Sequence, residues 1–315
     1  MKKYIGNVIT VIVVVVGIIL GFSGSIPLSD LQRETLNTLL IICGCSALYC
    51  FIAGEITGNT SQMDKLWSIL PIAYSWIIAG KGGMSARLVV IAVLVTLWGI
   101  RLTYNFSLKG AYTIKFWSGR EDYRWIVLRQ NKFLKNKFAW AVFNLGFISI
   151  YQNALVLAIC MPALAGMESR VPFGIIDILA AIFVFGFLVL ETVSDRQQWN
   201  FHSVKNKMLA QGKKLEDLPA PYNKGFNTKG VWAYSRHPNY FSEQAFWLCL
   251  YFFAVGAGVC HYGIFHWSII GCLLLIFLFM GSSAFGESVS KSKYPEYAFY
   301  QKTVSKYVPW KKYRK

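Results

Sequence analysis

Gly230-Val-Trp-Ala-Tyr-Ser-Arg-His-Pro-Asn-Tyr-Phe-Ser-Glu243 places a polar, aromatic segment at the mouth of an apolar run, Ala245 to Ala257. The run has the composition of a membrane helix. Ionisable and amide side chains so close to hydrocarbon are costly, so Arg236, His237, Asn239, Tyr240 and Glu243 are expected to serve a ligand, a proton path or a partner. Pro238 suits a first helical turn, where its missing N–H would be unbonded anyway. From that start Tyr240 and Glu243 stand three apart and share a face. The unbonded N–H groups of the turn can hold an anion such as phosphate, and Arg236 and His237 would add charge to the same pocket. A basic flank with Trp and Tyr anchors explains the same residues, except Glu243, which falls about one turn inside the span.

The rest of the chain has the composition such a helix requires. Hydrophobic residues make up 55% and charged residues only 15%, against about 25% charged in a soluble domain. Apolar runs of roughly 15 to 25 residues recur, enough to cross ~30 Å of hydrocarbon. The expected fold is all-α, a polytopic membrane bundle of about eight transmembrane helices (seven to eight). They are placed near 4–22, 36–54, 66–80, 88–108, 139–165, 172–192, 240–258 and 262–283. One integral membrane domain over 1–315 is expected, with N-terminal helices in 1–58 and a core in 60–315. The first run follows Met1-Lys2-Lys3. A cleaved signal peptide is conceivable there, but in a multi-span chain the run is expected to stay as an anchor. Pro71 is expected to kink the third helix or sit in its first turns.

Charge sets the orientation. Lys2, Lys3, Lys65, the stretches 109–137 and 193–238 and the tail 284–315 fall on one side, while Arg33, Lys81, Arg87 and Arg170 fall on the other. Both termini are therefore expected in the cytoplasm. The net charge of +17 sits in loops beside aromatics at helix ends, which argues against nucleic acid. Anionic lipid headgroups are the plain partner for it, and an anionic cofactor the sharper one. Arg101, inside the fourth run, needs a partner. The seven cysteines lie almost entirely in apolar runs, without Cys-x-x-Cys spacing, and read as small core residues. His261 and His266, five apart, fall on different helix faces, so no metal site is expected.

Residues 109–137 alternate aromatic and basic types, among them Phe116, Trp117, Arg120, Tyr123, Arg124, Trp125 and Arg129. This reads as an interfacial lipid anchor or as a lid over a cofactor. Residues 205–229 read as an irregular loop. Tyr294, Tyr297 and Tyr300 in the tail, taken alone, read as interfacial anchors. At the end of the sixth run Glu191, Asp195, Gln198 and His202 recur every three or four residues and form one helical stripe. Such a stripe either marks the exit of a helix into water or lines a site.

Three of these segments carry a resemblance: the Arg-His-Pro-Asn-Tyr element of 236–240, the stripe Asp195, Gln198, Phe201, His202, and the tail with Glu287 and Tyr294-Pro-Glu-Tyr297. Together they resemble the membrane reductases related to steroid 5α-reductase and sterol C14-reductase, closest to a bacterial branch of them. The likeness covers about residues 60–315 and is densest from Glu191 onward. It implies a membrane-embedded, NADPH-dependent reductase of a carbon–carbon double bond conjugated to a ketone. The substrate would be hydrophobic, a 3-oxo-4-ene steroid or similar lipid, and the location the bacterial inner membrane. NADPH would be held by Asp195, Gln198, His202, Arg236, His237, Asn239, Tyr240 and Glu243, in a cofactor-binding half near 190–315. Gln198 and His202 depart from the Lys and Arg often seen there, which leaves NADPH against NADH open. In the 5α-reductases a Glu on an early helix and a Tyr on a later one polarise the ketone. Glu55 and Tyr104 are the candidates here, with Tyr74 a further one. Hydride arriving at the β-carbon builds enolate charge on oxygen, which a preplaced donor stabilises. Asp64-Lys-Leu-Trp67 also resembles the bacterial relatives. Such enzymes use no Rossmann domain, so the lack of a Gly-x-Gly-x-x-Gly fingerprint does not count against the reading.

Isoprenylcysteine carboxyl methyltransferases, which use S-adenosylmethionine, share a weaker version of the motif. They usually show Asn-Pro after the motif helix, where this chain has Gly256-Ala-Gly258. A non-enzymatic lipid-binding membrane protein that keeps the fold is the third reading.

Overall fold

A computed structural model describes residues 27–260 and 263–313. The predicted span 4–22 and His261 lie outside them. The described residues are helical, with one isolated parallel bridge between Ser235 and Ser305. Five helices are long and apolar enough to cross a membrane. We number the long helices α1 (Asp30–Thr57), α2 (Leu70–Lys81), α3 (Ala86–Leu108), α4 (Lys137–Ala158), α5 (Ile175–Ala210), α6 (Pro238–Gly256) and α7 (Ile270–Lys293). All but α2 and α6 meet the criterion, α7 together with the turn Trp267–Ile269 that leads into it. At 12 residues, α2 reaches about 18 Å, short of the ~30 Å of hydrocarbon. α6 has 19 residues, but Asn239, Ser242, Glu243 and Gln244 dilute its first turns. The all-α membrane bundle expected from composition is therefore present, with five qualifying spans among the described residues, in which seven of the eight predicted runs fall.

The described residues divide into two compact units. The first comprises those up to Ala181 with Leu248–Leu274, the second Ile182–Trp247 with those from Leu275 on.

In the first unit α1 starts at a capping box: Ser29 Oγ accepts from Gln32 N, and Gln32 Oε1 accepts from Ser29 N, both at 3.1 Å. Two otherwise unbonded donors are satisfied reciprocally. Ser29→Ala is expected to cost about 1 kcal/mol of unfolding free energy, measurable by denaturant titration, and Ser29→Thr, which keeps both the accepting oxygen and the hydroxyl that donates to Glu168, should recover most of it. Pro71 sits in the first turn of α2, where no N–H is missed. Leu39, Ile78, Leu88, Ile91 and Trp98 are buried together with Arg101 on α3. Gly271 at the start of α7 lets two backbones meet, since a Cβ there would stand 2.3 Å from the Ala158 carbonyl. α4 contains a π-helical stretch, Asn144–Tyr151. Its inward polar residues Asn144 and Ser149 are fully buried. Cys43, Cys50, Cys160 and Cys272 are buried free thiols.

In the second unit the tail folds back onto the segment before α6. Arg236 N donates to Ser305 O at 2.9 Å and His237 N to Lys306 O at 3.1 Å. Phe226, Tyr297, Tyr300 and Val304 form a core cluster. Tyr300 is 1% exposed, and its hydroxyl donates to the carbonyl of Trp232. Tyr297 and Tyr300 are thus packing residues rather than the interfacial anchors that their composition suggests.

Candidate functional site

α5 runs to Ala210, about five turns past the predicted end of its apolar run. The polar stripe therefore continues one rigid helix. α6 begins at Pro238, as the motif predicts. Its first turns meet the stripe: Asn239 Nδ2 donates to Asp195 Oδ1 at 3.1 Å. A carboxylate only accepts, so this bond fixes the amide with its nitrogen toward Asp195. Asn239 Oδ1 is then left buried without a hydrogen-bond partner among the described residues, and so is Gln198 Oε1. Gln198 Nε2 lies 3.2 Å from His202 Nε2, and Asp195 and Gln198, three apart, lie on one face of α5. Glu243, 4% exposed, accepts from Trp247 Nε1 at 3.1 Å.

Arg236 and His237 do something other than the motif suggests. Arg236 Nε and Nη2 bind the two oxygens of Glu287 at 2.6 and 3.4 Å, and its Nη1 donates to the carbonyls of Gln301 and Val304 at 2.8 and 2.5 Å. His237 Nε2 meets Glu287 Oε1 at 2.9 Å, and Gln301 Nε2 donates to Glu287 Oε2 at 2.9 Å. Burial holds the His237 imidazole below its usual pKa, opposed by the Glu287 carboxylate. A neutral ring then donates from Nε2. The cationic pocket expected for phosphate is in this way already answered by Glu287. The two residues join α6, α7 and the tail.

The aromatic neighbours extend that support. Tyr240 stacks on His237 with ring centroids 5.3 Å apart and lies 4.6 Å from Phe279. The Tyr307 hydroxyl pairs with Ser283 Oγ at 2.6 Å and donates to Phe279 O at 3.1 Å. Burial pushes its pKa up to about 12, so it stays a neutral donor. Phe201 stacks on Tyr222 at 5.3 Å. Gly225, at φ 81°, leaves the space that the Tyr294 ring fills. Above that ring the buried Lys205 donates to Gly225 O at 2.8 Å and to the Tyr294 hydroxyl at 3.2 Å.

Asp195, Gln198 and His202 lie on α5 and Asn239, Tyr240 and Glu243 on α6, with Asn239 bonded to Asp195, and several further contacts were not legible in the sequence. Gln197 Oε1 accepts from Val231 N at 3.0 Å, and Trp232 Nε1 donates to Ser194 O at 2.9 Å. Both contacts cross more than thirty residues, beyond the reach of helical periodicity. Glu287 stood in the tail motif without a role. Its position in the last third of an apolar helix was the one available signal.

The substrate candidates lie in the first unit. Glu55 is exposed near the end of α1, its Oε1 accepting from Asn144 Nδ2 at 2.7 Å. Tyr104 is 54% exposed on α3, and Tyr74 is fully buried on α2. Asp64 of the Asp64-Lys-Leu-Trp67 motif accepts from Trp125 Nε1 at 2.8 Å. Lys65 donates to the carbonyls of Phe116 and Ser118, each at 2.6 Å. That motif fastens the loop after α3.

A family model described as a protein of unknown function, DUF1295, matches residues 50–304. An uncharacterized protein of the fission yeast Schizosaccharomyces pombe is 35% identical over 309 residues, covering 91% of this chain and 84% of the relative. No solved structure matches. The relative is a yeast protein, and what the comparisons and the apolar helices support is integral, multi-pass membrane character rather than the bacterial inner membrane in particular.

Proposed function

The chain belongs to the DUF1295 family, of the steroid 5α-reductase-like superfamily, and from that premise we propose that it is a membrane-embedded NADPH-dependent reductase. Its substrate would carry a double bond conjugated to a ketone on a hydrophobic body, as in a 3-oxo-4-ene steroid or similar lipid. The observation that carries the reading is the amide of Asn239. Asp195 locks it, and its carbonyl oxygen stands buried without a partner. A buried acceptor of this kind costs about 1–3 kcal/mol unless a donor meets it.

Gln198 offers a second such acceptor on α5. Two neutral acceptors suit the carboxamide N–H and ribose hydroxyls of a nicotinamide nucleotide. When bound, the nucleotide supplies hydride. Asp195 orients Asn239, and Arg236, His237 and Glu287 hold the start of α6 in place. Arg196 and Lys229, exposed in the same unit, are cations open to the phosphates. Glu55, held by Asn144, and Tyr104 remain the groups proposed to polarise the substrate carbonyl.

The test is thermal unfolding of the detergent-purified protein with NADPH, NADH or S-adenosylmethionine at about millimolar concentration. A ligand at 100 times its Kd stabilises by ~2.7 kcal/mol. NADPH is expected to raise Tm in the wild type and not in Asn239→Leu, which removes the acceptor at similar volume. Stabilisation by S-adenosylmethionine alone would instead make the protein a methyltransferase. No shift with any of the three would favour a lipid-binding role.

A further inference from the structure

The two acids of the segment between α3 and α4 are paired within it. Glu121 binds Arg129 through Nη2 at 2.7 Å and Nη1 at 2.9 Å, and Asp122 binds Arg124 Nε at 2.8 Å. The Arg129 guanidinium also covers the Trp140 ring, 4.7 Å from its centroid. What remains on the surface is basic and apolar. Lys132, Lys135 and Lys137 are exposed, and none of them makes an ion pair among the described residues. Between and beside them Phe133 is 76% and Phe138 78% exposed.

Rings that large stay out of water only if something apolar covers them. Geometry supplies the cover. The segment joins two consecutive membrane-spanning helices, α3 ending at Leu108 and α4 starting at Lys137, so it lies where hydrocarbon gives way to headgroups. Asn136 caps α4, its Oδ1 accepting from Phe138 N at 2.9 Å and Ala139 N at 3.1 Å. This fixes Phe138 at the first turn of a span and places the lysines just outside it.

We propose that Asn131–Phe138 is a binding surface for anionic phospholipid headgroups. Lys132, Lys135 and Lys137 meet the phosphates, while Phe133 and Phe138 enter the acyl boundary. The pairing of compact cations with flanking rings matches a charged headgroup above a hydrocarbon chain, and a soluble anion would leave the rings uncovered. Each lysine contributes roughly fivefold near an anionic surface. Together they set a preference for anionic over zwitterionic lipid, independent of any activity in the second unit.

The test uses the full chain in nanodiscs containing brominated phosphatidylglycerol or brominated phosphatidylcholine, with quenching of tryptophan fluorescence giving the relative association constant. The wild type is expected to favour phosphatidylglycerol about tenfold or more at low salt, and the preference should fall toward one in molar salt. The triple variant Lys132→Gln, Lys135→Gln, Lys137→Gln should lose it, and the matching triple Arg variant should keep it. Equal affinities in the wild type, or a preference that survives the Gln variant, would overturn the proposal. So would loss of the preference on adding NADPH, which would assign the patch to a nucleotide.

Discussion

Glu287→Ala is expected to lower the unfolding free energy by about 3–5 kcal/mol, the range for removing one member of a buried ion pair. Glu287 is 7% exposed and accepts from Arg236, His237 and Gln301 at once. Its loss would strand a buried guanidinium and leave an imidazole N–H and an amide without acceptors. Glu287→Gln keeps one oxygen and should cost less. The double variant Arg236→Met, Glu287→Leu should be more stable than Glu287→Ala, because no charge is left unanswered. Denaturant unfolding in a defined detergent measures all three, and a loss below about 1 kcal/mol for Glu287→Ala would mean that water reaches the pair. Because this cluster holds the first turn of α6, Glu287→Ala should also weaken any stabilisation by NADPH.

Asp177→Ala should cost a similar 3–5 kcal/mol in the first unit. Asp177 Oδ1 accepts from Arg87 Nε at 2.7 Å and Oδ2 from Nη2 at 2.9 Å, a bidentate pair. Their side chains are only 6% and 1% exposed. Arg87 further donates to the carbonyls of Val171, Pro172 and Gly256. These carbonyls cannot replace a counter-charge, so the arginine is left as a buried cation when Asp177 is removed. A double-mutant cycle with Arg87→Met separates the pair from the rest. The double variant should lie closer to the wild type than either single one, with an interaction energy of at least about 1.5 kcal/mol. Additive losses would show that the two side chains act separately.

These two pairs mark the limit of reading by pattern. From sequence Arg87 reads as a loop charge and Asp177 carries no signal, because their positions are separated by 90 residues and by no helical period. Arg236 and His237 were legible as special, yet their role was not. Four residues apart or fewer, a sequence shows which side chains share a face, as with Gln198 and His202. It does not show that a carboxylate 51 residues on has already claimed the cation. The tail tyrosines fail the same way, since a ring packed on a ring and a ring at headgroup depth have the same composition.

What the sequence determined alone was the solvent and the class. Long apolar runs with few charges can satisfy their backbone in hydrocarbon only as helices, and that constraint needs no partner to be known. The start of α6 at Pro238 and the polar stripe of α5 followed from local geometry for the same reason. Tertiary structure alone decided which charges are spent and which remain. It paired Arg236 with Glu287 and Arg87 with Asp177, and left the carbonyl of Asn239 and the lysines of Asn131–Phe138 unanswered. Charge neutralisation depends on distances of a few ångströms, and only the folded chain sets those.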